Sequence, residues 1–314
     1  MNETFSSRPH QIILFYNKFF DSVPDVTDLE PDDRKAFVWD RSLFVEADAV
    51  VFHIPNLVFD TSSLKEIIKL KKPPGQAWVA WSMESAVNYP VLKDPAFMGR
   101  FDLVMSYSRS ADIWCPYYPG RDAWLNALSQ SLPSKSEKAP IVMFQSATNN
   151  SSGRNEYAAA LMTNIQVDSY GRFLKNRAWT KVDEGRPTKL TTMARYKFCL
   201  ALENALEIDY VTEKFFDPLL VGTIPVYRGA PNIYQFAPGE NAFINADEFS
   251  GPDELAAYLK KLDHDNEAYR QFFQWRKRPF FPSFEADLDT LRARPFAKLV
   301  EIVRRCREAK AHRR

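Results

Sequence analysis

Glycine is scarce in this chain, ten among 314 residues, and none stands in a GxGxxG or GxxxxGKS/T spacing. The first absence removes the standard dinucleotide fingerprint; the second removes the P-loop. Neither a GxSxG elbow nor an HExxH pair occurs, which excludes two common hydrolase signatures. Cysteine is scarcer still. Cys115, Cys199 and Cys306 stand far apart with no CxxC spacing, and they read as isolated reduced thiols. The four histidines, His10, His53, His264 and His312, form no pair at metal-ligand spacing. Net charge is lacking too. A value of +1 gives no overall pull toward nucleic acid, so any anion must be bound locally. The opening stretch MNETFSSRPHQIILFYNKFF has no basic segment followed by a long apolar one. By pattern it is neither a signal peptide nor a membrane anchor, and the expectation is a cytoplasmic chain or a piece of a longer one.

What the sequence does have is a series of strand-length apolar runs. QIILFYN (11–17), AVVFHI (49–54), AWVAWSM (77–83) and FDLVMSY (101–107) form one set. PIVMFQS (140–146), IQVDSYG (165–171), FCLAL (198–202), TIPVYRG (223–229) and AFINADEF (242–249) form a second. Most lack polar alternation, as strands buried on both faces of a parallel sheet do. Helical patterns lie between them at 62–70, 154–164, 212–222 and, longest, 253–278. The alternation predicts α/β layers with right-handed crossovers. The polar stretch SQSLPSKSEKAP (129–140) predicts a linker between an N-terminal domain, 1–135, and a C-terminal domain, 140–285, with a tail at 286–314. Ligands of such domains sit at the carboxyl ends of strands. The triplets Asp263–Asp265 and Asp287–Asp289 follow no buried strand, and they read as solvated faces rather than a metal clamp.

Three strand ends carry candidate chemistry. The first is ENALEIDYVTEK (203–214), which follows FCLAL. Glu203 and Asn204 end the strand, Asp209 and Tyr210 lie in the loop, and Thr212 is a natural N-cap that puts Glu213 and Lys214 in a first helical turn. A helix N-terminus beside a lysine suits an anion such as a diphosphate; a capped helix with a charged first turn is the plainer alternative. The second is the Ser- and Asn-rich loop after PIVMFQS, which leads to Arg154 at the start of a helix. An arginine there can grip phosphate oxygens with two parallel bonds, or be an ordinary surface residue. The third is Glu84, at the end of AWVAWSM beside Trp81 and Met83. A partly desolvated carboxylate in that position suits general-base work; a solvent-facing glutamate is the alternative. His53 also ends a strand, either facing an acceptor hydroxyl or packed in the core.

The stretch YKFCLALENALEIDYVTEKFFDPLLVGTIPVYRGAPNIYQFAPGENAFINADEF (196–249) resembles the central motif region of the α-1,3-fucosyltransferases, glycosyltransferase family 10. The likeness is carried by Tyr196–Phe198, Glu203–Asn204, Asp209–Tyr210, Thr212–Lys214, Pro225–Val226, Gly229, Asn232 and Tyr234, and it extends over roughly residues 45–280. It implies a GT-B architecture of two Rossmann-like domains facing a central cleft. It implies an inverting enzyme that moves L-fucose from GDP-fucose to a GlcNAc or Glc hydroxyl of a galactose-containing glycan. Position by position, Glu84 matches the general base. Arg154 and Lys214 match the cations on the diphosphate, and Glu213 a glutamate beside the donor sugar. Asn204 and Tyr210 match donor-pocket residues, and Tyr170 lies where the nucleotide is held; His53 and Trp81 are acceptor-side candidates on their place at strand ends alone. No cofactor or metal is required by the resemblance, with a divalent metal such as Mn an optional stimulant.

Leu202 and Ala205 depart from the phenylalanine and serine frequent around the Glu-Asn pair, and the membrane anchor and C-terminal cysteines of animal members find no match. The resemblance is therefore to bacterial-type members. The implied partners are GDP-fucose and an oligosaccharide acceptor, with no nucleic acid. The basic tail LRARPFAKLVEIVRRCREAKAHRR (291–314) is either a helix peripheral to the inner face of the membrane or one that packs back on the first domain.

Overall fold

The computed structural model describes residues 10–59, 61–180 and 182–311. The chain forms two compact units, Met1–Pro116 with Ala293–Arg314, and Tyr117–Arg292. Each is built on one all-parallel sheet.

In the first unit the strands are β1 (Ile13–Phe15), β2 (Phe37–Val38), β3 (Ala49–His53), β4 (Ala77–Ser82), β5 (Leu103–Ser106) and β6 (Ile113–Trp114), in the order β2-β1-β3-β4-β5-β6. The unbroken apolar runs have the burial that their pattern calls for: every residue of β1 and of β3 is buried. One face packs Leu14, Val50, Phe52, Trp78 and Ala80 against Leu57 and Ile67 from the helices Ile54–Phe59 and Thr61–Lys69. On Phe15, Phe37 and Trp81 sits Phe296 of the C-terminal helix Pro295–Ala311, with ring centroids 5.4–5.7 Å away. Leu299, Val300 and Val303 of that helix are buried, and Arg304 pairs with Asp33 at 2.7 Å. Of the two readings of the tail, this is the packed one: its apolar stripe is taken up by the unit's own core. Among the described residues no helix is long and apolar enough to cross a membrane.

The first unit's strand order reverses between β1 and β3, and the crevice at such a point is where an open α/β sheet usually takes a ligand. Here side chains fill it. Phe19 stacks on Trp81 at 4.7 Å and lies tilted against His53 at 4.7 Å, and Phe20 meets His53 edge-on at 5.0 Å. His53 is wholly buried and Trp81 nearly so. Of the two readings of His53, this is the packed one, and Trp81, an acceptor-side candidate, packs beside it at 5.1 Å. The chain runs from His53 straight into the next helix, and Asn17 and Asn56 lace the loop over the ring. Asn56 Oδ1 accepts from Phe20 N at 2.7 Å, which fixes the amide, so the His53 Nδ1–H must be the donor to that same oxygen at 2.5 Å.

Burial holds His53 down at about 4, with Asn56 only partly countering it. The unfolded ring titrates near its ordinary 6.5. Below 6.5 the unfolded chain takes up a proton that the folded one refuses. The histidine's contribution is therefore complete above pH 6.5 and is lost as pH falls toward 4, about 3 kcal/mol in all. Urea titrations at pH 7 and pH 4 should show the wild type losing roughly that much more stability than His53→Gln; equal losses would contradict the enclosure of the ring.

The second unit holds β7 (Ile141–Met143), β8 (Val167–Ser169), β9 (Phe198–Leu202), β10 (Ile224–Arg228) and β11 (Ile244–Asn245), ordered β11-β10-β9-β7-β8. The helices Arg154–Asn164 and Pro252–His264 cover one face through Ala158, Leu161, Leu255 and Leu259. The stretch 129–140 belongs to this unit rather than dividing the chain. Lys135 Nζ donates to Ala194 O at 2.8 Å and Gly222 O at 2.6 Å, binding two helix ends. Before it, Trp124 is fully buried against Phe216, Trp275 and Phe284, so the division falls at Pro116/Tyr117. Composition marked the stretch as polar; the aromatic anchor ahead of it decides where it lies.

The single long helix expected over 253–278 is three pieces, Pro252–His264, Asn266–Gln271 and the 3-10 turn Gln274–Lys277. Asp265 makes the break, because its carboxylate accepts from Glu267 N and Ala268 N and so caps a new helix. The two acidic triplets have structural work. Asp263 pairs with Lys197 at 2.8 Å, while Asp287 is buried, not solvated, and accepts from Tyr118 Oη at 2.9 Å.

Candidate active site

The second unit's sheet reverses its order between β7 and β9, and there the candidate residues gather. Gly153, at φ +68°, turns the chain into the helix Arg154–Asn164. Arg154 is thereby placed at the helix start, 1% exposed, spanning the two strand ends: Nη1 donates to Leu202 O at 3.3 Å and Nη2 to Ala147 O at 3.1 Å. From the other side comes the helix Glu213–Leu220, capped by the Thr212 hydroxyl on Lys214 N. Arg154, Glu213 and Lys214 line one pocket, floored by Met143 and Phe144 from the β7 end and Leu200 and Leu202 from β9.

Beneath this pocket is a carboxylate to which the sequence reading gave no role. Glu203 is wholly buried. It accepts from Thr212 N at 2.8 Å and Thr212 Oγ1 at 2.9 Å, and pairs with Lys214 Nζ at 3.2 Å. Lys214 Nζ also donates to Thr212 Oγ1 at 2.9 Å and lies 3.6 Å from Glu213 Oε1. Gly229 makes room for this arrangement, since a Cβ there would stand 2.3 Å from Tyr227 Oη and 2.6 Å from Glu203 Cγ. Burial pushes the Glu203 carboxyl up, and Lys214 only partly counters it. Burial alone would lower Lys214, but Glu203 and then Glu213 raise it to about 12, so it remains a cation at neutral pH. Arg154 is near enough to repel it. Arg154 and Lys214 line the same pocket, Lys214 braced by Glu203 and Glu213, and their donors can together meet an anion there.

Tyr170, at the end of β8, begins an aromatic stack. Its ring lies 4.5 Å from Trp179 and 5.7 Å from Phe144, a pocket-lining residue. A second hollow beside the stack is lined by Tyr170, Trp179, Thr192 and Arg195. Asn204 and Tyr210 are buried in the 203–212 loop. That loop is shaped by Asp209 at φ +66° and clasped by Asn232, whose amide exchanges two hydrogen bonds with Asp209 at 2.9 and 3.0 Å. Lys189, Asp217 and Arg186 were not singled out from the sequence, although Asp217 within FFDPLL, one turn beyond Glu213, is the kind of polar interruption that marks a helix face.

Glu84 belongs to the first unit, just beyond β4. The Ser82 hydroxyl accepts from Glu84 N at 3.1 Å and donates to Glu84 O at 2.9 Å, closing a tight turn that leaves the residue half-buried. Its charge, after burial itself, helps raise the neighbouring Tyr89 hydroxyl to about 12.

Comparison with known proteins bears on the whole chain. Residues 8–118 match the fucosyltransferase N-terminal family model, and residues 132–314 match the C-terminal model of glycosyltransferase family 10 (fucosyltransferase). The chain is 34% identical over 275 residues to the Homo sapiens 4-galactosyl-N-acetylglucosaminide 3-alpha-L-fucosyltransferase FUT6, covering 85% of this chain and 68% of that protein. It is 35% identical to the Bos taurus 3-galactosyl-N-acetylglucosaminide 4-alpha-L-fucosyltransferase FUT3, covering 85% and 67%. A crystal structure of alpha1,3-fucosyltransferase with GDP-fucose shares its fold, with a TM-score of 0.58 at 17% identity over 96% of this chain and 93% of that one. With its two parallel α/β sheets of the GT-B kind and both family models matched, this chain belongs to glycosyltransferase family 10, the fucosyltransferases.

Proposed function

We propose that the protein is an inverting α-1,3(/4)-fucosyltransferase that moves L-fucose from GDP-fucose to a GlcNAc or Glc hydroxyl of a galactose-containing glycan. The observation that carries this reading is the meeting of Arg154 and Lys214 in one pocket at the β7/β9 switch point. A leaving diphosphate gathers negative charge as the bond to fucose breaks. Arg154, Lys214 and the N-terminus of the Glu213 helix are preorganised to receive it, which is where an enzyme gains most. In this reading the chain's own donors meet the leaving group and no metal ion is required; a divalent ion such as Mn stands as a stimulant only. Glu213 faces the donor sugar, Asn204 and Tyr210 shape the donor loop, and the Tyr170–Trp179 stack offers its surface to the guanine. Glu84 takes the proton of the acceptor hydroxyl as that oxygen attacks the anomeric carbon from the face opposite GDP.

The names of the relatives support transfer to the 3- or 4-hydroxyl of such glycans. The test is GDP release from GDP-fucose with and without N-acetyllactosamine. The reading predicts release that depends on the acceptor and product bearing one added fucose. Binding without release would favour a glycan- or nucleotide-binding protein on this scaffold. Stronger thermal stabilisation by UDP or ADP than by GDP would favour a transferase for another sugar nucleotide.

A further inference from the structure

Asp217 is 1% exposed, on a helix whose neighbouring Phe215, Phe216 and Leu219 are all buried. A carboxylate that deep persists only with partners. It has two, both from the helix Arg186–Met193: Arg186 Nη2 lies 2.6 Å from Oδ1 and Lys189 Nζ 3.1 Å from Oδ2. One cation suffices to balance one carboxylate, so the second has charge to share. Lys189 Nζ lies 3.8 Å from Glu213 Oε1, the same oxygen that Lys214 Nζ approaches to 3.6 Å. Glu213 and Asp217 stand one helical turn apart on one face, which lets a single lysine span both. Lys189 also lines the pocket shared by Arg154 and Lys214.

We propose that Lys189, seated on Asp217, is a positioning residue for Glu213, gripping one carboxylate oxygen together with Lys214 and leaving the other for the hydroxyls of the donor. The proposal rests on the reading of this pocket as the donor site. The charged groups around Glu213 are Lys189 from the Arg186 helix, Lys214 and Asp217 from its own helix, and Glu203 from the β9 end, with Arg154 beyond Lys214. Burial by itself would push the Glu213 carboxyl up; Lys214, then Lys189, more than offset it and hold the group below its usual range. Removing the charge of Lys189 therefore frees the carboxylate to rotate and lets its titration rise.

The experiment uses the full chain as Lys189→Met, Lys189→Arg and Asp217→Asn. It measures kcat against pH with GDP-fucose and N-acetyllactosamine, and GDP affinity by calorimetry. Lys189→Met should lose about tenfold to a hundredfold in kcat, the scale of a misplaced reacting group. The acid limb of its profile should move to higher pH. GDP affinity should change little, because GDP lacks the sugar that Glu213 meets. Lys189→Arg should recover most of both losses, and Asp217→Asn, which removes an anion and leaves Lys189 to Glu213, should move the acid limb the other way, to lower pH. An unmoved limb with full kcat in Lys189→Met overturns the proposal, as does a loss that GDP affinity fully accounts for and arginine fails to rescue. A wild type that binds no GDP instead overturns the donor reading, and this inference with it.

Discussion

Glu84→Gln is expected to bind GDP-fucose as the wild type does and to transfer fucose about 10²–10⁴ times more slowly. The substitution keeps the size of the side chain and its place in the Ser82 turn, where both hydrogen bonds run to the Glu84 backbone rather than to its carboxyl. What it removes is the ability to accept a proton. Glu84 lies in the unit that holds neither Arg154 nor Lys214, so nucleotide binding has no reason to change. Calorimetric titration with GDP and a single-turnover assay on the same preparation separate the two effects. Unimpaired transfer would remove Glu84 from the mechanism. Equal loss of binding and transfer would make it a structural residue.

Lys214→Met is the second large effect, and it divides into two parts. The first is stability: with the lysine gone, buried Glu203 loses its cation, and breaking such a pair from one side costs about 3–5 kcal/mol. The second is catalysis, where loss of one preorganised partner of the leaving group costs about 10²–10³ in rate. A second substitution tells them apart. Glu203→Gln removes the orphaned charge, so the double variant Glu203→Gln/Lys214→Met should regain most of the lost denaturation midpoint while its transfer rate stays low. Recovery of both would mean that Lys214 only braces the loop. Recovery of neither would mean that Glu203 has a role beyond balancing Lys214. Arg154→Lys is the milder companion: it keeps a charge but lacks the fork that reaches both Leu202 O and Ala147 O.

Much of this arrangement is visible in the residues themselves. FCLAL is a strand at 198–202, the Arg154 helix occupies 154–164, and Thr212 caps the helix that begins at Glu213, because each signal is local. An apolar run, a cap or a start residue needs no knowledge of the rest of the chain. The gathering of Arg154 with Lys214 is legible once the strand ends are counted, since parallel strands deliver their carboxyl ends to one edge. What the sequence hides depends on contacts between distant segments. The filling of the first unit's crevice by Phe19 and Phe20 is what decides between the two readings of His53, in favour of the packed one. The cap made by Asp265 interrupts a helical period that continues in the sequence. Lys189 and Asp217 meet across 28 residues, and a lone lysine and a lone aspartate announce nothing separately.

The account stands on the pocket at the β7/β9 edge taking a diphosphate. The direct measurement is calorimetric affinity for GDP and for GMP, in the wild type and in the Glu203→Gln/Lys214→Met variant. The expectation is that the wild type binds GDP about tenfold or more tightly than GMP, at least 1.4 kcal/mol, and that the preference shrinks in the variant, where Arg154 and the helix N-terminus remain, while GMP affinity is little changed. Equal affinity for the two nucleotides in the wild type, or a preference undiminished in the variant, would contradict it.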